Sequence, residues 1–153
     1  RADRIQQAVA TLAQQALADS SVVSDDVFAT MDAMRAAIDK GLRPTNHTDF
    51  VVTPLDQMFL VWTAVNRVSR NGVVVGPDQR VTPLEALQAI TINAADQYGE
   101  RESKGSLEPG KLADLVVLDG NPLKVDPMTI KNVKVVETIK EGRTIYTARS
   151  PQR

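Results

Sequence analysis

Lys104-Gly105-Ser106-Leu107-Glu108-Pro109-Gly110-Lys111-Leu112-Ala113-Asp114-Leu115-Val116-Val117-Leu118-Asp119 reads as a turn followed by a strand. Pro109-Gly110 supplies the bend, because proline presets its own φ and glycine accepts turn conformations closed to other residues. Leu115 to Leu118 is an unbroken apolar run of strand length, which predicts a strand covered on both faces within a longer stretch, Leu112 to Leu118. Downstream the pattern stays strand-like. Asp119-Gly120-Asn121-Pro122 is a turn cluster, and Asp126 to Ile130 fits one short helical turn. From Val133 to Lys140 residues alternate, with Val133, Val135, Glu137 and Ile139 on one face and Lys134, Val136, Thr138 and Lys140 on the other. Glu141-Gly142 then predicts a tight hairpin into Arg143-Thr144-Ile145-Tyr146-Thr147.

Upstream of about residue 100 the period changes to that of helices. Residues 3 to 18 place Ile5, Ala8, Val9, Leu12 and Ala16 on one helical face. Ser24 is suited to cap a second helix bearing Val27, Phe28, Met31, Met34 and Ile38, with Gly41 as its stop. Leu42 to Phe50, interrupted by Pro44, predicts an extended strand running into a loop. Thr53-Pro54-Leu55-Asp56 predicts a helix start with Thr53 as cap. That helix buries Leu55, Met58, Phe59, Trp62 and Val65, is widened by Leu60, Val61 and Val68, and ends at Asn71-Gly72. Thr82-Pro83-Leu84-Glu85 repeats the start signal with a complete capping box, and Leu84, Leu87, Ile90 and Ala94 are expected inside.

Size and composition bound the function. The chain has 153 residues, enough for one core, but short of the ~250 of a complete (β/α)8 barrel. It opens on Arg1 rather than Met, which fits a piece of a longer protein. A net charge of −1 with both signs interspersed builds no field for nucleic acid,. No apolar stretch is long enough to span a membrane. Cysteine is absent, so thiolate metal sites and cysteine nucleophiles are excluded, and cytoplasmic and periplasmic settings stay equally open.

One histidine occurs, His47, in Asn46-His47-Thr48-Asp49. In extended backbone, residues two apart point the same way, so His47 and Asp49 can converge on one ligand. The spacing equally suits a histidine satisfied by its neighbours and an aspartate capping the next turn. Asn93 and Thr91 suit close helix packing, Asp114 a main-chain hydrogen bond, and Lys104 and Lys111 surface charges. Phe59 and Trp62 suit core packing better than substrate stacking.

Three stretches carry a family resemblance. Lys104 to Asp119 resembles a signature near the C-terminus of metal-dependent amidohydrolases. Gly41-Leu42-Arg43-Pro44-Thr45-Asn46-His47-Thr48-Asp49-Phe50, followed by Val52-Thr53-Pro54-Leu55, is similar to the last barrel strand of that superfamily, in the branch containing N-substituted formamide deformylases. Thr91-Ile92-Asn93-Ala94-Ala95 resembles the helix before the return to the β-sandwich. The resemblance spans about residues 31 to 148; residues 1 to 24 match nothing recognisable. It implies an α/β fold: the C-terminal part of a (β/α)8 TIM-like barrel in residues 1–100, plus strands of a small composite β-sandwich in 101–153. It implies a hydrolase of amide-like C–N bonds using a divalent metal, zinc foremost, with Asp49 as metal ligand and catalytic carboxylate and His47 orienting Asp49 or touching substrate. The His-x-His pair, the bridging carboxylate or carboxylated lysine and the two later histidines of the family are absent, so these residues alone are expected to be inactive. The expected partners are a small amide-like substrate and the remainder of the chain's own barrel and sandwich; a homo-oligomer stays open. The alternative reading is a non-catalytic αβ scaffold that binds a partner through open strand edges.

Overall fold

A computed structural model describes residues 33–49 and 53–148. The helix expected at 3 to 18, the Ser24 cap and the apolar positions Val27, Phe28 and Met31 lie outside the described residues. Helix α1 (Met34–Asp39) buries Met34 and ends in a Schellman motif: Leu42 N–H donates to Ala37 O at 3.0 Å and Gly41 N–H to Ile38 O at 2.8 Å,.

Helix α2 (Gln57–Asn66) starts later than the Thr53-Pro54 signal suggests. Its cap is Asp56, whose carboxylate accepts from Phe59 N–H at 3.0 Å. Thr53 lies three residues before that cap, and its hydroxyl donates to Thr48 O, tying the start of this stretch back to the preceding segment. Leu55, left before the helix, is 70% exposed rather than core. Met58, Leu60, Val61, Trp62, Ala64, Val65 and Asn66 are all buried, so α2 is wrapped on several sides. It stops at Asn66, not at Asn71-Gly72, because Arg67 turns left-handed (φ 53°). Asn71-Gly72 instead turns a small hairpin, in which Val68 pairs with Val74 and Ser69 N–H donates to Val73 O at 2.8 Å.

Helix α3 (Pro83–Ile90) carries the full Thr82/Glu85 capping box. Its buried positions are Ala86 and Ala89, with Leu87 and Ile90 packed against the core as expected, while Leu84 is 53% exposed. These small side chains let α3 lie close to its neighbours. Thr91 separates α3 from the short α4 (Ile92–Gln97).

The β part is one antiparallel sheet in the order β1-β2-β3: β1 (Leu115–Leu118), β2 (Val135–Lys140) and β3 (Arg143–Thr147). Leu115 pairs with Ile139 and Lys140 with Arg143. Glu141 (φ 50°) and Gly142 (φ 76°) form the hairpin turn, whose two positive φ angles match the strand twist. Asp114 accepts from Glu141 N–H at 2.8 Å and Asp119 from Lys134 N–H at 2.7 Å, so a carboxylate brackets each end of β1. The expectation that β1 is covered on both faces is not met by the described residues: Val116 and Val117 are 57% and 42% exposed.

A 3₁₀ turn (Pro127–Asn132) locks the sheet to the helices. Ile130 is fully buried. Trp62 Nε1–H donates to Met128 O at 3.0 Å, Asn66 Nδ2–H to Pro127 O at 2.9 Å, and Lys131 Nζ lies 4.1 Å from the centre of the Trp62 ring. The main apolar cluster therefore joins Met34, Val61, Trp62 and Ala89 to Ile130 and Val133, across residue 100.

Candidate active site

The strand expected at Leu42 to Phe50 does not form among the described residues: Leu42 to Thr48 has no regular secondary structure and Asp49 is a turn residue. Side chains and main chain of the surrounding helices hold the segment instead. Arg43 pairs with Asp96 at 2.8 Å, and Thr45 Oγ1 donates to Gln97 at 3.0 Å. Pro44 O accepts from Asn93 Nδ2–H at 2.9 Å. Asn46 Nδ2–H donates to Leu60 O at 3.3 Å, and Asn46 N–H to Ala89 O at 3.4 Å. Asn46 thus ties the segment to both α2 and α3, a role that sequence reasoning missed; the polar residue one step before His47 in an extended pattern was the available signal.

Thr48 is buried, whereas His47 and Asp49 are exposed. Asp49 leaves the extended path with φ 47°, a left-handed conformation for which aspartate and asparagine are the most tolerant side chains after glycine. Its N–H donates to His47 Nδ1 at 3.1 Å. The Asp49 carboxylate and His47 Nε2 have no hydrogen-bond or ion-pair partner among the described residues. The structure therefore brings the two residues together through main chain and ring, and leaves the carboxylate open to solvent.

The other polar candidates are structural. Asn93 is spent on Pro44, Thr91 Oγ1 on Leu87 O at 2.7 Å, and Asp114 on the hairpin. Lys104 pairs with Glu100 at 3.0 Å. Lys111 departs from the expected surface charge: its side chain is only 9% exposed, and Nζ donates to Ser106 Oγ at 2.6 Å. It pins the turn before β1. Trp62 is buried, and Phe59 stacks on it at 5.7 Å between ring centres, as core packing predicts.

An ion cluster ties α1 to the cap of α3. Arg35 reaches both Glu85 oxygens, at 2.8 and 2.9 Å, and Asp39 at 2.8 Å. Burial works to raise the Glu85 carboxyl pKa, but hydrogen bonds from Thr82 and the Arg35 guanidinium outweigh it and hold the group below the usual carboxylate range,. This cluster supports the fold and has no free acid or base.

Asp49 offers what a hard divalent cation accepts, an unencumbered carboxylate oxygen. His47 Nδ1 is already taken by the Asp49 amide. Among the described residues no group of three or more His, Cys, Asp or Glu is placed to hold an ion, whereas a catalytic zinc takes about three protein ligands. Among the described residues Asp49 thus offers a single carboxylate and no complete ligand set. A cleft of about 830 Å³ between the helices and the sheet is lined mainly by apolar groups including Met58, Leu87, Ile90, Val116 and Tyr146. Neither His47 nor Asp49 lines it.

Comparison with known proteins gives this geometry a family. Residues 2–146 match the model of the amidohydrolase family. N-substituted formamide deformylase of Arthrobacter pascens is 34% identical over 113 residues, 74% of this chain and 21% of that enzyme. Imidazolonepropionase of Porphyromonas gingivalis is 42% identical over 67 residues, 44% of this chain and 16% of that enzyme. A solved amidohydrolase from Thermotoga maritima superposes with a TM-score of 0.59 at 23% identity, covering 78% of this chain and 27% of that one, which shows a shared fold. The chain spans about a fifth of the length of the formamide deformylase it matches. It belongs to the amidohydrolase family.

Proposed function

We propose that residues 1–153 are the C-terminal part of a metal-dependent hydrolase of amide-like C–N bonds. In this reading residues 1–100 supply the last strand and helices of a (β/α)8 barrel and residues 101–153 supply strands of a β-sandwich. The family match and the names of its relatives, a deformylase and an imidazolonepropionase, support C–N hydrolysis. The observation that carries the site is Asp49: an exposed carboxylate without a partner among the described residues, at the end of a segment tethered to the helices.

A divalent ion, zinc foremost, held by Asp49 with ligands from the rest of the protein would supply the Lewis acidity that makes water a usable nucleophile near neutral pH. The Asp49 carboxylate accepts the proton of the attacking water and passes it to the leaving nitrogen. Thr48, buried beneath it, and Asn46, tied to α2 and α3, keep that carboxylate fixed relative to the helices. His47 stands beside it on the substrate side. The apolar cleft and the exposed faces of β1 are where the remainder of the barrel and sandwich would pack.

The test is Asp49→Asn in the complete protein. Asparagine keeps the shape and tolerates the left-handed backbone, but it cannot take up the proton. Turnover of an amide substrate should fall by about 10²–10⁴ or more; retention of activity within about threefold would remove Asp49 from the chemistry. The 153-residue chain with zinc should show no turnover at all, and robust hydrolysis by it would overturn the reading of a partial site.

A further inference from the structure

His47 does more than stand next to the reactive carboxylate. Its Nδ1 accepts the N–H of Asp49 at 3.1 Å, and that residue is the one in the segment whose backbone turns left-handed. An acceptor on residue i that takes the N–H of residue i+2 is the geometry by which Asn and Asp side chains stabilise turns; here an imidazole does it. The ring is exposed and uses no other nitrogen among the described residues, so core packing is not its task.

We propose that His47 is the positioning residue of this site, holding Asp49 in its left-handed turn through Nδ1 and so aiming the carboxylate outward. This rests on the reading of Asp49 as the proton-transferring group. The bond dictates a tautomer: with Nδ1 occupied as acceptor, the neutral ring carries its proton on Nε2. It also dictates which substitution rescues. The amide oxygen introduced by His47→Asn reaches the same N–H, whereas His47→Leu leaves that N–H without an acceptor.

In the complete protein the ring nitrogens of His47 are assigned by the signals that vanish in His47→Asn. At a pH where the ring is neutral, ¹⁵N NMR of the complete protein should show Nδ1 unprotonated and Nε2 protonated. The Asp49 amide proton should shift upfield and exchange faster in His47→Leu but not in His47→Asn. In the complete protein, His47→Leu should lower kcat by about 10–100-fold with little change in KM, and His47→Asn should restore most of it. A neutral ring protonated on Nδ1, an Asp49 amide indifferent to His47→Leu, or equal kcat in the two variants would each overturn the proposal. Activity surviving in Asp49→Asn would sink the reading beneath it, and it would do so while the NMR signature stayed intact, so the two failures are separable.

Discussion

Gly105 is where the turn before β1 touches the helices most closely, and its replacement gives a measurable test of how the two halves are joined. A Cβ built there would lie 2.8 Å from Ala95 Cβ, 2.8 Å from Ile92 Cα and 3.1 Å from Thr91 O. Two of those atoms are main chain at the start of α4 and cannot swing aside. The residue also has φ +86°, which for a side-chain-bearing residue costs roughly 1–2 kcal/mol. Forcing a methyl group into a filled contact adds about 1–3 kcal/mol, so Gly105→Ala should lose about 2–5 kcal/mol. Gly99 is the internal control: its φ is +72° and nothing lies within 4 Å of its added Cβ, so Gly99→Ala should lose only the backbone contribution of roughly 1–2 kcal/mol. Urea unfolding followed by the fluorescence of Trp62, the single tryptophan, measures both. In a thermal melt each kcal/mol should appear as about 2–4 °C for a chain of this size. Equal losses in the two variants, with unchanged m-values, would refute the close approach of the turn to α4.

Acid stability should depend on Glu85. Its folded carboxyl pKa is lowered, so its contribution is complete above the unfolded value of about 4.3 and vanishes as pH falls through the lower folded value. Glu85→Gln keeps a capping-box side chain but not the charge facing Arg35, so it should be less stable than the parent near neutral pH and converge with it in acid; a pH-independent gap would contradict this. Asn66→Ala strips a buried donor from Trp62 O and Pro127 O and should cost about 1–3 kcal/mol; a loss under about 0.5 kcal/mol would show that the 3₁₀ turn does not need this latch. Zinc titrated into the 153-residue chain should not raise its melting temperature, because a single free carboxylate gives too little preference for the folded state; a stoichiometric stabilising site would show a complete ligand set.

Local signals decide how much of this fold is legible in sequence. The Thr82-Pro83-Leu84-Glu85 start and the Glu141-Gly142 hairpin are self-contained over a few residues, and the structure has both. Asn71-Gly72 is ambiguous: the pair that can stop a helix is also the strongest short-range hairpin signal, and pairing of Val68 with Val74 decides for the hairpin. Thr53 and Asp56 are both good caps three residues apart, and the structure uses Asp56, whose carboxylate accepts from Phe59 N–H,. The inward face of α3 is legible in part: Leu87 and Ile90 pack against the core as expected, but Leu84 stays exposed and the small Ala86 and Ala89 take the buried positions. Lys111 is hidden because lysine is by default solvated, and only the fold brings Ser106 against its amine.

The candidate site follows from a period and its interruption. With Asn46 turned to Leu60 and Thr48 buried, His47 between them faces out, as alternation leads one to expect. The inward pull of Asn46 and Thr48 thus sets the outward side of His47, and the sequence pattern contains that much. The left-handed turn at Asp49 is not contained in the alternation, because it depends on one hydrogen bond to a ring two residues back. Without that bond, extended backbone would carry Asp49 onward along the segment. With it, the carboxylate stands at a fixed end of the tethered stretch, and the proposed proton-transfer role of Asp49 depends on that placement,.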